Sequence, residues 1–359
     1  MTLSVCLIVR DEEDVIARCL SCVKKFADEI IVVDTGSSDF TVEEVKKFTD
    51  KIYFFNWQDD FSAARNFAFE KATCDYVMWL DADDVITAEN CTHIRNLVEN
   101  GTFDMAYLVY ASAFDGDTPT FKYNRERIFK RSGNYRFSGA VHEAVIPHGN
   151  IVYSEARIDH KKIKSGDSMR NLKIYQKQIV RGIPLDERSK FYYGRELMYN
   201  KMYREASAVL ENFLSGNGWV ENKIEACINL YYCYSALKEE HAAHVSLLNS
   251  LLYSPPRPQF CCIIGGIFAE KGDISSAIYW YKQALDCGRG TLKSGAFINT
   301  DFYEFIPCMQ LCVLYDRLGD LETANNYNEC AGRVKPDSAE YLYNRQYFQN
   351  KLSKEVINE

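Results

Sequence analysis

Over the first eighty residues of the chain, apolar and polar positions follow two alternating periods. Residues 3–9 form a continuous apolar run typical of a buried strand, and residues 13–25 repeat their apolar positions at the spacing of a helix face. This alternation of strand and helix patterns continues along the chain. It predicts strands at 29–33, 52–55 and 76–80 and helices at 42–48 and 63–72. Strands separated by helices predict an α/β domain with a mostly parallel sheet and right-handed crossovers.

From about residue 186 helical periodicity takes over, and a pattern of small and aromatic positions recurs after 47 residues. The stretch 288–300 between the two copies predicts an insertion, and two fainter copies precede them. This pattern of small residues resembles that of the tetratricopeptide repeat, in which two antiparallel helices pack closely. The alternative is an irregular helical bundle. The repeated positions are Gly265, Phe268, Gly272, Asp273, Ala277, Tyr281 and Ala284, then Cys312, Tyr315, Gly319, Asp320, Ala324, Asn328 and Ala331, with Gly194, Leu197, Ala206, Leu210, Tyr231, Tyr234, Ala243 and Leu247 in the fainter copies.

These two patterns predict an α/β domain at 1–165, a linker helix at 166–188 and helical repeats at 189–350. The length of 359 residues allows two hydrophobic cores.

A net charge of -8 argues against nucleic-acid binding through a general cationic surface. No apolar run reaches the length of a membrane span, and the thirteen cysteines are scattered and odd in number. We therefore expect a cytoplasmic protein whose cysteines are reduced core residues.

Polar residues stand where the predicted parallel strands end, which is where such sheets bind ligands. After the strand at 76–80 come Asp81, Ala82, Asp83 and Asp84. Carboxylates one residue apart suit Mg²⁺ or Mn²⁺ bound to a diphosphate. The plainer interpretation is that Asp83 or Asp84 caps a helix at 88–98.

A second acidic loop, residues 34–39, ends an earlier strand of the same sheet. Gly36 would allow a ligand close to the backbone, and Asp34 could accept hydrogen bonds from a ribose or a base edge. Thr35, Ser37 and Ser38 either donate to phosphate or cap the next helix.

Several ordered motifs together resemble the inverting family 2 glycosyltransferases. They are SVCLIVRDEE at 4–13, DEIIVVDTGSSD at 28–39 and WLDADD at 79–84. The stretch WQDDFSAARN at 57–66 resembles the branch with a C-terminal tetratricopeptide domain, which includes the S-glycosyltransferases that modify bacteriocins such as sublancin. Asp11 departs from the pattern, because many relatives have Asn there.

This resemblance implies a GT-A fold that binds a UDP-sugar and needs Mn²⁺ or Mg²⁺. The metal ligands that it implies are Asp81 and Asp83. Ser62 is predicted to cap a helix whose first turn carries Arg65, so that a helix terminus and a guanidinium face a diphosphate together. The residues that the resemblance assigns to the nucleotide sugar are Val9, Arg10, Glu12, Asp34, Gly36, Arg65, Asn66, Asp81 and Ala82.

The segment Val141-His142-Glu143 lines the acceptor side in such relatives. Inverting transfer needs a base for the incoming nucleophile, and we favour Glu143, with His142 orienting substrate or diphosphate and Asp84 as another candidate. A structural histidine at a strand edge is the plainer interpretation of His142. His160 could complete the metal shell or be structural, and the basic run at 161–170 could close over the diphosphate or be a solvated linker.

The predicted reaction is an inverting transfer of a hexose from a UDP-sugar, and three acceptor hypotheses remain. The acceptor could be a Cys or Ser side chain of a peptide or protein docked on the repeats. It could instead be a lipid-linked or cell-envelope saccharide, with the repeats forming a homodimer. In a third hypothesis the chain is a non-catalytic repeat scaffold with a degenerate transferase domain. The intact acidic motifs argue against the third hypothesis.

Overall fold

A computed structural model describes residues 1–116, 118–163, 167–287 and 299–358. The chain divides into two compact units, Met1–Asn222 and Lys223–Glu359. The domain limits expected from the sequence, at 165 and 188, stay a prediction. Lys164 of the basic run and residues 288–298 of the expected insertion lie outside the described residues.

The first unit is built on an eight-stranded sheet in the order β3-β2-β1-β4-β7-β6-β10-β5. The first four strands of this order are parallel, β7 is antiparallel to both of its neighbours, and β10 runs parallel to β6. A separate hairpin pairs β8 with β9. The strands are β1 (Leu3–Val9), β2 (Glu29–Asp34), β3 (Ile52–Phe54), β4 (Tyr76–Leu80), β5 (Asp84–Val85), β6 (Met105–Asp115), β7 (Thr118–Lys130), β8 (Phe137–Ser138), β9 (Ala144–Val145) and β10 (Ile151–His160).

Helices cover both faces of this sheet. Apolar residues of α1 and α4 pack with Leu3, Val5 and Leu7 of β1, while Ala68 of α3 packs against Cys6 on the opposite face. The helices of the first unit are α1 (Ile16–Val23), α2 (Thr41–Lys46), α3 (Phe61–Lys71), α4 (Ala88–Asn100), α5 (Arg170–Val180), α6 (Glu187–Tyr199) and α7 (Tyr203–Ser215), of which α1 to α4 contribute to the core around the sheet. The mostly parallel α/β domain expected of a GT-A fold is confirmed.

The expected cap of α3 is wrong, and the alternative interpretation of Asp83 or Asp84 as a cap of α4 is not borne out. Asp60, not Ser62, caps α3, because its carboxylate accepts from the backbone N–H of Ala63 at 2.9 Å, and the Ser62 hydroxyl donates to that same carboxylate. Thr87 caps α4. Asp83 and Asp84 are therefore not committed to a helix terminus.

The second unit is helical. Gly272 and Gly319 have φ of +77° and +80° in the turns between α10 and α11 and between α12 and α13, and the aspartates that follow them cap α11 and α13. The ring of Tyr281 lies 3.0 Å from where a Cβ on Gly265 would stand, so the small residue permits the close approach of α10 and α11. The all-helical tail with repeat-like pairs is thereby confirmed. Its helices are α8 (Val220–Ala236), α9 (Glu240–Asn249), α10 (Pro258–Glu270), α11 (Ile274–Asp286), α12 (Phe305–Arg317), α13 (Leu321–Val334) and α14 (Ala339–Asn358).

The thirteen cysteines are free thiols, and nine of them are buried, which confirms the expectation of small core residues. Among the described residues no helix combines the length and apolarity that crossing a membrane requires.

Candidate active site

One guanidinium links the acidic turn after β4, residues 81–84, to the acceptor-side segment, residues 141–143. Arg65, on the first turns of α3, donates from Nη2 to Asp81 Oδ1 at 2.7 Å and from Nε to Glu143 Oε1 at 2.6 Å. Its side chain is 7% exposed. Burial alone would raise the pKa of Asp81, but the positive charges of Arg65, Arg127 and Arg125 hold it well below its usual range. The Asp81 carboxylate of this bridge is therefore ionised at neutral pH.

Three arginines surround the indole of Trp79 at the end of β4. The guanidinium carbons of Arg65, Arg125 and Arg127 lie 4.2, 4.6 and 3.8 Å from the ring centroid. Arg127 is fully buried and donates to Asp84 Oδ2 at 3.2 Å. The Arg125 guanidinium makes no hydrogen bond or ion pair within the described part of the chain. It is the cation of this group that remains available for an anionic ligand.

Asp84 holds the acidic turn in shape. It is fully buried, and its carboxylate accepts hydrogen bonds from the Asp81 backbone N–H at 3.0 Å and from the Tyr110 hydroxyl at 3.2 Å, besides that from Arg127. Each carboxylate oxygen thus has protein partners, so Asp84 has no contact with solvent through which it could meet an acceptor.

His160 reaches this turn because β10 pairs antiparallel with β5, which sets it opposite Asp84. Its Nδ1 lies 3.1 Å from Asp83 Oδ1 and 3.3 Å from Asp84 Oδ1. Burial by itself would lower the pKa of His160, but hydrogen bonds and charge from these two aspartates raise it to about 10.

A possible cation site results from this pairing. Ligand atoms of Asp81, Asp84 and His160 all lie within 4.8 Å of one another, and Asp83 contacts His160 beside them. Carboxylate oxygens with one imidazole suit Mn²⁺ or Mg²⁺, and the side chains of Asp81 and His160 keep 28% and 25% exposure on the open side. The residues fit a divalent cation that displaces the proton His160 shares with the aspartates, with Asp84 in the compact group where the sequence pointed to Asp83.

The loops after β1 and β2 are locked to each other. Asp34 is 3% exposed and accepts from the backbone N–H groups of Gly36 and Ser37 at 3.1 Å, so it shapes its own loop. Asp11 has a φ of +55°, a conformation that Asn adopts most readily, and its carboxylate accepts from Ser38 at 2.7 Å. Gly36 has a φ of +107° and open space beside it.

The remaining predicted nucleotide residues stand at the same edge of the sheet. Val9 is buried at the end of β1, Arg10 is exposed, and the Glu12 N–H donates to the Thr41 hydroxyl at 2.7 Å. The hydroxyls of Thr35, Ser37 and Ser38 serve the two loops and do not cap α2, whose first N–H, that of Thr41, donates to the Asp39 carboxylate at 3.0 Å.

The acceptor-side segment sits on the hairpin of β8 and β9. The Asn66 side chain exchanges two hydrogen bonds of 2.9 Å with the backbone of Phe137, which fixes the hairpin on α3. His142 has a φ of +53°, unusual for a residue other than glycine. Its Nε2 lies 2.8 Å from Glu196 Oε1, and its ring stacks on Tyr192 at 4.1 Å between centroids.

Sequence reasoning missed Arg125, Tyr110 and Glu196 as residues of this site. A signal for the first was present, since arginines at 125 and 127 alternate within an otherwise strand-like segment and must point to one face. Glu196 carries no such signal, because a single glutamate on a helix is ordinary until its burial is known.

The segment 4–181 matches the family model for glycosyl transferase family 2. That segment is therefore a family 2 glycosyl transferase domain, and the resemblance read from the motifs is confirmed. A TPR repeat-containing protein of Synechococcus elongatus is 27% identical over 340 residues, which are 94% of this chain and 68% of that protein.

Two named glycosyltransferases are similar over shorter stretches. SunS of Bacillus subtilis is 29% identical over 212 residues, which are 55% of this chain and 49% of SunS, so the match spans about half the length of that relative. LpsC of Rhizobium meliloti, a lipopolysaccharide core biosynthesis glycosyltransferase, is 25% identical over 42% of this chain and 59% of its own. Among solved structures, Staphylococcus aureus TarS 1–349 in complex with UDP-GlcNAc aligns over 94% of this chain and 93% of its own with a TM-score of 0.38 and 13% identity.

Proposed function

We propose that this chain transfers a hexose from a UDP-sugar, with inversion and with Mn²⁺ or Mg²⁺ bound, to a Cys or Ser side chain of a peptide or protein. The observation that carries the proposal is the charge arrangement after β4. Acidic groups that fit a cation stand together with the Arg125 guanidinium, which has aromatic contacts but no described hydrogen-bond or ion-pair partner, as a site for a metal-bound diphosphate requires.

In this proposal the nucleotide lies against the joined loops after β1 and β2, over Val9, Arg10, Glu12, Asp34 and Gly36. A divalent cation held by Asp81, Asp84 and His160, with Asp83 beside them, would neutralise negative charge on the leaving diphosphate. Arg125 faces the same diphosphate. Arg65 acts indirectly, because both of its described hydrogen bonds go to carboxylates that it holds in place.

The base is proposed to be His142. Glu143 was the favoured candidate from the sequence, but its carboxylate is 7% exposed and its Oε1 is already paired with Arg65, so it is not open to an incoming acceptor. Asp84 is fully buried. His142 keeps about a third of its side-chain surface exposed. As the acceptor S–H or O–H attacks the anomeric carbon, its proton passes to the imidazole while the bond to the diphosphate oxygen breaks.

Peptide acceptors are preferred because of the likeness to SunS over 55% of the chain and because helical repeats suit extended peptides. The likeness to LpsC supports a saccharide acceptor as the second candidate. A non-catalytic scaffold is the least favoured hypothesis, because burying charged carboxylates and arginines carries a desolvation penalty that a purely structural domain would not need. A homodimer stays a further proposal, as does a cytoplasmic location.

The test is UDP release from a panel of UDP-hexoses with MnCl₂, followed by NMR of the product anomer. We expect release that EDTA abolishes and a product of inverted configuration. Asp83→Ala should lower turnover by orders of magnitude, whereas the control Asp104→Asn, which removes a surface pair with Lys130, should not. A retained anomer, or full activity in Asp83→Ala, would contradict the proposal.

A further inference from the structure

The strongest unexplained feature of the first unit is a buried carboxylate on α6 that touches the acceptor-side segment. Glu196 is 7% exposed and lies outside the segment matched by the family model. Its Oε1 is 2.8 Å from His142 Nε2 and 3.0 Å from the side-chain nitrogen of Asn171 on α5. Helices α5 and α6 thus supply groups that hold His142, besides the stack of its ring on Tyr192.

The charge state of Glu196 fixes the proton on this imidazole. Burial alone would raise the pKa of Glu196, but the hydrogen bonds from His142 and Asn171 outweigh it, so that its pKa is lowered. An ionised carboxylate only accepts hydrogen bonds, so Nε2 of His142 must carry a proton. When the ring is neutral, Nδ1 therefore carries no proton. Within the described part of the chain Nδ1 has no hydrogen-bond partner.

We propose that Glu196 is a positioning residue of the transfer reaction: it holds His142 with Nε2 protonated and Nδ1 free to take the proton of the acceptor. This inference rests on the proposed function. It extends the site beyond the α/β domain, because the supporting carboxylate comes from α6.

The surroundings of His142 are consistent with a fixed orientation. From α6, Arg188 donates to the His142 carbonyl at 3.2 Å, and Arg195 adds positive charge near Glu196. From α5, the Tyr175 hydroxyl donates to the carbonyl of the preceding residue, Val141, at 3.3 Å. Tyr192 lies beneath the ring, and Glu143 follows His142 in the chain. Backbone, ring face and Nε2 are all held, which leaves Nδ1 for chemistry.

The first experiment measures kcat and KM for UDP release from UDP-glucose with MnCl₂, with water as the acceptor. Glu196→Gln should lower kcat about 10- to 100-fold, since a lost partner of a functional histidine has effects of this order. KM for UDP-glucose should stay within about twofold, because Glu196 acts on the acceptor side. Glu196→Asp should recover part of kcat. The control Glu187→Gln, on the same helix and paired with Lys190, should match the wild type.

A double-mutant comparison distinguishes a positioning role of Glu196, exerted through His142, from a merely structural role. In a His142→Ala background, Glu196→Gln should have no further effect on kcat, because it acts only through that ring. A loss of kcat that persists without His142 would overturn the proposal. So would wild-type kcat in Glu196→Gln.

A second measurement does not depend on activity. Long-range ¹H–¹⁵N NMR of histidine-labelled protein reports which ring nitrogen carries the proton, and six histidines with a His142→Gln variant make the assignment tractable. We expect the Nε2–H form in the wild type and a mixture in Glu196→Gln. An Nδ1–H ring in the wild type would overturn this inference, whereas absence of UDP release with the expected tautomer would count against the proposed function alone.

Discussion

Replacing Arg65 by lysine tests whether the guanidinium acts as a bridge or only as a positive charge. Arg65 spans two carboxylates through different nitrogens, Nε to Glu143 at 2.6 Å and Nη2 to Asp81 at 2.7 Å. An ammonium group has no second nitrogen, so Arg65→Lys keeps the charge and loses at least one of the two hydrogen bonds.

The size of the effect follows from these contacts. A hydrogen bond to a charged group contributes about 1.5–3 kcal/mol. If that energy holds the site in its active geometry, loss of one bond lowers turnover by about 10- to 150-fold. Because the pair is buried, we also expect a fall in the free energy of unfolding of about 1–3 kcal/mol.

The assay is UDP release from UDP-glucose with MnCl₂, together with urea unfolding of the same preparations. The matched control is Arg136→Lys, which alters an exposed pair with Glu70 at 2.9 Å and should leave both quantities unchanged. Turnover of Arg65→Lys within twofold of the wild type would refute the bridging role, since charge alone would then suffice.

Three further predictions concern stability, each followed by urea unfolding. Burial alone raises the pKa of Glu29, but hydrogen bonds from Lys51, Ser4 and Thr73 lower it to about 2 from a usual 4.5, so the ionised carboxylate stabilises the folded state. This contribution is complete above about pH 5 and is lost as the pH falls toward 2, so Glu29→Gln should flatten the acid loss of stability. Gly265→Val should cost about 1–3 kcal/mol because its side chain would meet the Tyr281 ring. Asp60→Ala should cost about 1 kcal/mol through loss of the α3 cap.

Matched variants make these predictions specific. Glu99→Gln removes an exposed carboxylate paired with Arg95 and should keep the wild-type pH dependence. Gly266→Val should cost less than Gly265→Val, since a Cβ there meets only the Tyr281 hydroxyl at 3.6 Å. An unchanged acid slope in Glu29→Gln, equal costs at the two glycines, or a neutral Asp60→Ala would each contradict the contact behind that prediction.

The fold could be predicted because its signals are periodic. The apolar runs at β1 and β4 were placed at their observed limits, and the glycines at 272 and 319 marked real turns between helices. The α3 cap was missed, because Asp60 and Ser62 are both good capping residues and only the backbone decides between them.

Residues of the candidate site could be predicted only where they lie within short sequence motifs. The acidic turn was found from its position after an apolar strand. The pairing of His160 with Asp84 depends on an antiparallel contact between β5 and β10 that no local pattern reveals. Likewise, Arg65 was expected to face the diphosphate, but its nitrogens face two carboxylates that are 16 and 78 residues away in the chain.

The central claim is that the turn after β4 binds a cation together with the diphosphate of a nucleotide. Isothermal titration of UDP into the protein, with MnCl₂ and then with EDTA, measures this directly. We expect one UDP per chain that binds only when Mn²⁺ is present, and greatly weakened binding in Asp81→Asn. Equal UDP affinity in Mn²⁺ and in EDTA, or no binding in either, would contradict the account.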